Sequence, residues 1–88
     1  MPTVATKDGF IVKVWRPPRE HPPPHVHVTK PPDGLIVIRL AIGDKPQEVW
    51  EFYNVRKRDV LRAFRIVEEY EGAIRAAWED IHGKQKTQ

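Results

Sequence analysis

Seven of the nine prolines in this chain fall between Pro17 and Pro32, and they restrict its fold more than any other feature. Proline fixes φ at about −65°, donates no backbone hydrogen bond and pushes the preceding residue to extended geometry. A helix cannot cross this stretch. The run Pro22-Pro23-Pro24 predicts a stiff, polyproline-like entry into His25-Val26-His27-Val28. Residues two apart on a strand share a face. His25 and His27 therefore project together, with Val26 and Val28 opposite. With His21, three of the four histidines lie within seven positions, spaced H-x3-H-x-H.

Extended segments flank this centre. Phe10 to Arg16 is rich in β-formers and bounded by Gly9 and Pro17-Pro18, so it reads as a strand. Thr3 to Ala5 can add a short strand ahead of the Asp8-Gly9 turn signal. His25 to Lys30 is the next strand, and Pro31-Pro32-Asp33-Gly34 the turn after it. Leu35 to Ile42 is the most apolar strand, with Ile36, Ile38, Leu40 and Ile42 on one face. Gly43 to Pro46 turns the chain again. Val49 to Tyr53 can form a further strand, with Trp50 and Phe52 on one side. Such short turns imply an antiparallel meander.

From about Val55 the period changes. Val60, Phe64, Val67, Ile74, Trp78 and Ile81 recur at helical steps and make one apolar stripe. Asn54 is a fitting N-cap and Gly83 a fitting C′ residue. Gly72 costs about 1 kcal/mol relative to alanine in a helix interior, yet the stripe keeps its phase across it. One long helix is expected, and a break near Tyr70 to Gly72 is the alternative. Lys84 to Gln88 should fray.

The 88 residues suit a single domain, residues 1–88, with a β-rich half at 1–53 and a helical half at 55–82. A hydrophobic share of 40% against 31% charged fits a globular protein. The expected fold is α+β: a three- to four-stranded antiparallel meander with one long, or broken, C-terminal helix packed on one face. The Val12, Val26, Ile38 and Trp50 side should meet Phe64 and Trp78 of the helix. The other face then carries Ile11, Lys13, Trp15, His25, His27, Leu35, Val37 and Arg39. That is too apolar for a solvated face: either a partner covers it, a homodimer or a small cognate protein, or the strand registers differ from those assigned. No apolar run is long enough to span a membrane, and no signal-peptide pattern is present. With no cysteine, disulfides and thiol chemistry are excluded, and the expected compartment is the cytoplasm.

Three chemistries are open to these residues. His21, His25 and His27 could ligate a divalent metal such as Zn, although a fourth ligand is not evident. The bland alternative has His25 and His27 bonded to backbone and packed on Trp15. Without metal, His25 and His27 could act as general base and acid on an RNA phosphodiester, with Lys13 or Arg39 stabilising the developing charge. On the helix, Arg58, Arg62 and Arg65 recur at i, i+4 and i+7 opposite the apolar stripe. A net charge of +3 permits such a stripe to lie along nucleic-acid phosphates, but a solvated face balanced by Glu68, Glu69 and Glu71 explains it as well. Trp15 beside the histidines could stack on a base or anchor a partner. A glycine-rich phosphate loop, a paired-carboxylate motif and serine are all absent.

His21, Pro23, Pro24, His25, His27 and Val28, followed by Ile66-Val67-Glu68-Glu69 and Ala77-Trp78, resemble the small bacterial domain-of-unknown-function 4160 family. Its members carry a His-x-Pro-Pro-His-x-His-Val segment between a strand-rich half and a helical half with a late tryptophan. The resemblance covers about Thr3 to Gly83, and this chain has one proline more between His21 and His25. It implies no settled activity. Family members are often encoded beside another small protein, in pairs that look like toxin–antitoxin modules. The combined expectation is an uncharacterised component of such a pair, acting through protein contact. A His-dependent, RNA-directed hydrolase and a nucleic-acid-binding module are the alternatives.

Overall fold

The computed structural model describes residues 3–14 and 24–82, with side chains through Asp80. Trp15, His21, the Pro17–Pro23 run, the Ile81 side chain, Gly83 and the 84–88 tail lie outside the described residues. The strands are β1 (Thr3–Lys7), β2 (Phe10–Lys13), β3 (His25–Lys30), β4 (Gly34–Arg39) and β5 (Glu48–Tyr53). Two helices follow, α1 (Lys57–Glu69) and α2 (Glu71–His82). The sheet is an antiparallel meander in the order β1-β2-β3-β4-β5.

The α+β meander is therefore present, with five strands rather than three or four. β1 exists because Asp8 and Gly9 both take positive φ, 53° and 82°. Two successive positive φ values suit a two-residue hairpin turn, and Lys7 faces Phe10 directly across it. β2 ends at Lys13 rather than Arg16, and β4 ends at Arg39 rather than Ile42. Ile42 pairs with Lys45 in the following turn and is exposed.

One face of the sheet forms the core. Val12, Val26, Val28, Ile36, Ile38 and Leu40 are fully buried there, each contributing about 1.5–3 kcal/mol through removal of apolar surface from water. The helices cover them with Ala63, Ile66, Val67, Ile74 and Trp78. Phe64, expected in this layer, is only half-buried. Its place is taken by Ala63 and Ile66, one position before and two after it.

The single long helix is overturned in favour of two. α1 stops at Tyr70, whose φ and ψ of −102° and 17° leave helical geometry, and α2 resumes at the next residue. Ile74 and Trp78 still reach the core after Ile66 and Val67. Asn54 is not the N-cap. It sits at positive φ (56°) and its amide donates to the Asp33 carbonyl at 3.2 Å. Arg56 caps α1 instead, its backbone N–H donating to Asp59 Oδ2 at 3.0 Å, as an acidic N3 residue does.

Three ion pairs seat α1 against the sheet. Lys30 reaches Asp59 at 2.8 Å, Lys7 reaches Glu69 at 2.8 Å, and Arg62 pairs with Asp8 of the first hairpin turn. Lys30 and the Arg56 backbone hold the Asp59 carboxyl below the usual carboxylate range.

Two glycines separate steric need from tolerance. A Cβ on Gly34 would lie 2.7 Å from Val55 Cγ1 and 2.9 Å from the Lys30 carbonyl oxygen, whereas one on Gly72 meets nothing within 4 Å. Gly34→Ala should cost about 1–3 kcal/mol through overpacking, and Gly72→Ala should add about 0.4–1 kcal/mol by restricting the unfolded chain. Thermal unfolding followed by circular dichroism checks both, and the two shifts should have opposite signs.

Candidate functional site

The register of the sheet arranges the second face as rows running across the strands. Lys13 on β2 pairs with His27 on β3, His27 with Val37 on β4, and Val37 with Glu51 on β5. One step along, His25 pairs with Arg39 and Arg39 with Glu48. One step the other way lie Ile11, Thr29, Leu35 and Tyr53. The two histidines thus occupy the middle strand of a five-stranded sheet, with a lysine on one side and a carboxylate on the other. Ile11, Lys13, His27, Thr29 and Leu35 line an open hollow beside them.

His25 and His27 do share a face, with ring centroids 5.4 Å apart and the planes at 62°. His25 opens β3, and its ring is met by two tryptophans. Trp50 lies at 5.3 Å and Trp78 at 5.8 Å between centroids. Trp50 reaches it through a bulge. Val37 faces Glu51 and Ile38 faces Val49, so Trp50 is one residue more than β4 can match. A bulge re-aims the side chain it carries. Trp50 is therefore not a core residue beneath the helices, as its alternation suggested, but 43% exposed.

Partial burial, and after it the neighbouring His25, hold the His27 imidazole below its ordinary pKa, against the opposite pull of Glu51. The folded protein thus favours neutral His27. As pH falls through about 6.5 the unfolded chain takes the proton first, so stability present above that pH is lost below it, until folded His27 protonates as well. The urea midpoint should fall between about pH 7.5 and about pH 5.5, and His27→Gln should flatten that part of the drop. An unchanged pH profile in the variant would remove His27 from the account.

The remaining predicted residues divide. Lys13 stands across from His27. Arg39 stands across from His25, but its guanidinium is engaged by Glu48 at 3.2 Å and by the Pro46 carbonyl at 2.5 Å. Arg58 and Arg65 are exposed on α1, whereas Arg62 between them is held by Asp8. Of their expected acidic balance, Glu69 turns to Lys7 and Glu71 to Arg75. Trp15 and His21 are outside the described residues. Among the described residues no group of three or more His, Cys, Asp or Glu side chains is arranged to hold a metal. His25 and His27 would supply two imidazoles, and Zn sites need at least one further protein ligand.

Sequence reasoning passed over Glu51, which sits near enough to His27 to favour its charged form and accepts a hydrogen bond from the Tyr53 hydroxyl at 2.7 Å. That bond raises the Tyr53 pKa above its usual value. Alternation along Trp50-Glu51-Phe52 hid Glu51, because only the bulge makes Trp50 and Glu51 neighbours of the same histidine pair.

Residues 9–79, from the first hairpin turn to near the end of α2, match the family described as Domain of unknown function (DUF4160). The chain belongs to the DUF4160 family. For this DUF4160 protein, no curated protein and no solved structure gives a match. No described helix is long and apolar enough to cross a membrane.

Proposed function

We propose that this DUF4160 protein works by protein–protein contact, as one component of a two-protein pair of the toxin–antitoxin kind. One observation carries the reading. Among the described residues five large hydrophobics are exposed, and three of them, Trp50, Phe52 and Tyr53 at 43%, 51% and 52%, lie on β5. β5 is also the last strand of the sheet, so its outer backbone groups and its aromatics are offered together. Edges of this kind accept a strand from another chain, with backbone bonds supplying affinity and side chains supplying selectivity. Aromatic side chains are also the usual anchors of such contacts. The paired-gene habit of the family supports a small cognate protein as the partner.

Co-expression with the product of each neighbouring gene tests this. A cognate protein should co-purify, and the double change Trp50→Glu, Phe52→Lys should reduce its recovery at least about tenfold, in line with the loss of interface anchors. Undiminished recovery would move the contact away from β5. No co-purification with any neighbour would end the pair reading.

A second reading has its own support. The imidazoles of His25 and His27 are close, one is held neutral, and Lys13 stands opposite it, a set suited to metal-free cleavage of an RNA phosphodiester. His25→Ala and His27→Ala should each lower cleavage of a single-stranded RNA at least about a hundredfold if these groups act as acid and base. A rate unaffected by either change would exclude the reading. The arginine stripe lends less to a nucleic-acid role, since Asp8 takes its central member.

A further inference from the structure

We propose that the first occupant of the β5 edge is a second copy of this chain, paired antiparallel through Glu51–Tyr53 about a two-fold axis at Phe52. This rests on the reading of β5 as a contact edge: the second copy holds that edge when no cognate protein does, and what is added is the register of that pairing. The outer side of β5 meets no other described strand. Short strands, lysine, proline and bulges are the devices that protect sheet edges. β1, at the opposite edge, ends in Lys7. β5 has neither lysine nor proline, and its bulge falls at Trp50. The bulge disturbs the first half of the strand and leaves Glu51, Phe52 and Tyr53 regular, in step with Val37, Ile36 and Leu35. Asn54 at positive φ ends the segment. Three residues are therefore available for a new ladder.

Symmetry then limits the register. A two-fold axis normal to the sheet keeps each side chain on its own face, so an antiparallel pair must centre on a residue and not between two. Centring on Glu51 sets that carboxylate against its own copy, and like charges directly opposite are destabilising. Centring on Phe52 sets the two phenyl rings against each other on one face. On the other face it places Glu51 opposite Tyr53 of the second copy, twice over. Directly opposite residues have Cβ atoms about 4.5–5.5 Å apart, within reach of a phenol-to-carboxylate hydrogen bond. Tyr53 already donates to Glu51 within one chain at 2.7 Å, so the same donor and acceptor can be shared across the axis. The strand is complementary to itself in this register, and the contact is closed, as a dimer requires.

The chain has no cysteine, so an introduced one reports its own neighbour. Facing residues on antiparallel strands lie within disulfide reach. Phe52→Cys should form a disulfide dimer on mild oxidation, and Glu51→Cys should not. Native mass spectrometry of the unmodified protein, alone and at roughly 10–100 µM, where a dimer of ordinary affinity is populated, should give twice the 10.3 kDa protomer mass. Phe52→Lys should give the protomer mass with an unchanged far-UV spectrum, because Phe52 is half-exposed and outside the core. A monomer at those concentrations would overturn the proposal. So would a dimer that survives Phe52→Lys, or crosslinking by Glu51→Cys in place of Phe52→Cys. The two readings fail separately. A monomer that still co-purifies with a neighbour's product loses the dimer and keeps the pair, and a dimer without any co-purifying neighbour does the reverse.

Discussion

The fully buried cross-strand pairs Val26–Ile38 and Val28–Ile36 are what the rest of the molecule depends on. They fix the β3–β4 register under the helices. A slip of one residue would turn every side chain of a strand to the opposite face. It would drive His25 and His27 into the core and expose two valines. Apolar burial on one side of β3 is thus what presents His27 on the other, while His25, which opens the strand, also meets Trp78 of α2. Lys30, next on the core side, continues the logic. Its ammonium lies over the Phe10 ring, 5.4 Å from the centroid, and pairs with Asp59 on α1.

A second constraint comes from the bulge. By giving β5 one residue more than β4, it swings Trp50 to the histidine face and splits the strand. The first part supports the histidine pair through Trp50. The second, Glu51 to Tyr53, remains a straight edge. The helices are held by different means, with apolar contact along Ile66, Val67 and Ile74 and surface ion pairs from Lys7, Asp8 and Lys30. The exposed pairs from Lys7 and Asp8 give about 0–1 kcal/mol each, so they orient α1 more than they stabilise it, whereas the Lys30–Asp59 pair is partly buried.

What the sequence made legible followed from period and punctuation. β3 was readable to the residue because Pro24 precedes it and Pro31 ends it, and its alternation of His and Val set both faces. The Asp8-Gly9 turn signalled the first hairpin, although Thr3 to Lys7 has too little alternation to declare a strand alone. The helical stripe located Val67, Ile74 and Trp78. It misjudged Phe64, because the neighbouring Ala63 and Ile66 fill the core side of α1 and leave Phe64 at the border of the buried stripe. Trp50 was misplaced for a clear reason. A bulge depends on pairing with β4, and nothing local in Glu48 to Tyr53 marks it. Arg62 and Arg39 looked like surface cations because their partners, Asp8 and Glu48, are adjacent only once the sheet has formed.

The meander order has a consequence for how the molecule assembles. Every strand bonds to its neighbour in the chain, so no sheet contact waits for a distant segment. Closing a loop between chain neighbours costs entropy that grows only slowly with its length, and chains rich in near-neighbour contacts fold quickly. The stretch from His25 to Arg39 is one hairpin in itself, and it carries both imidazoles, their opposing arginine and the apolar pairs that set their direction. The histidine pair is therefore carried by a unit of fifteen consecutive residues, whose register is held once the helices bury Val26, Val28, Ile36 and Ile38.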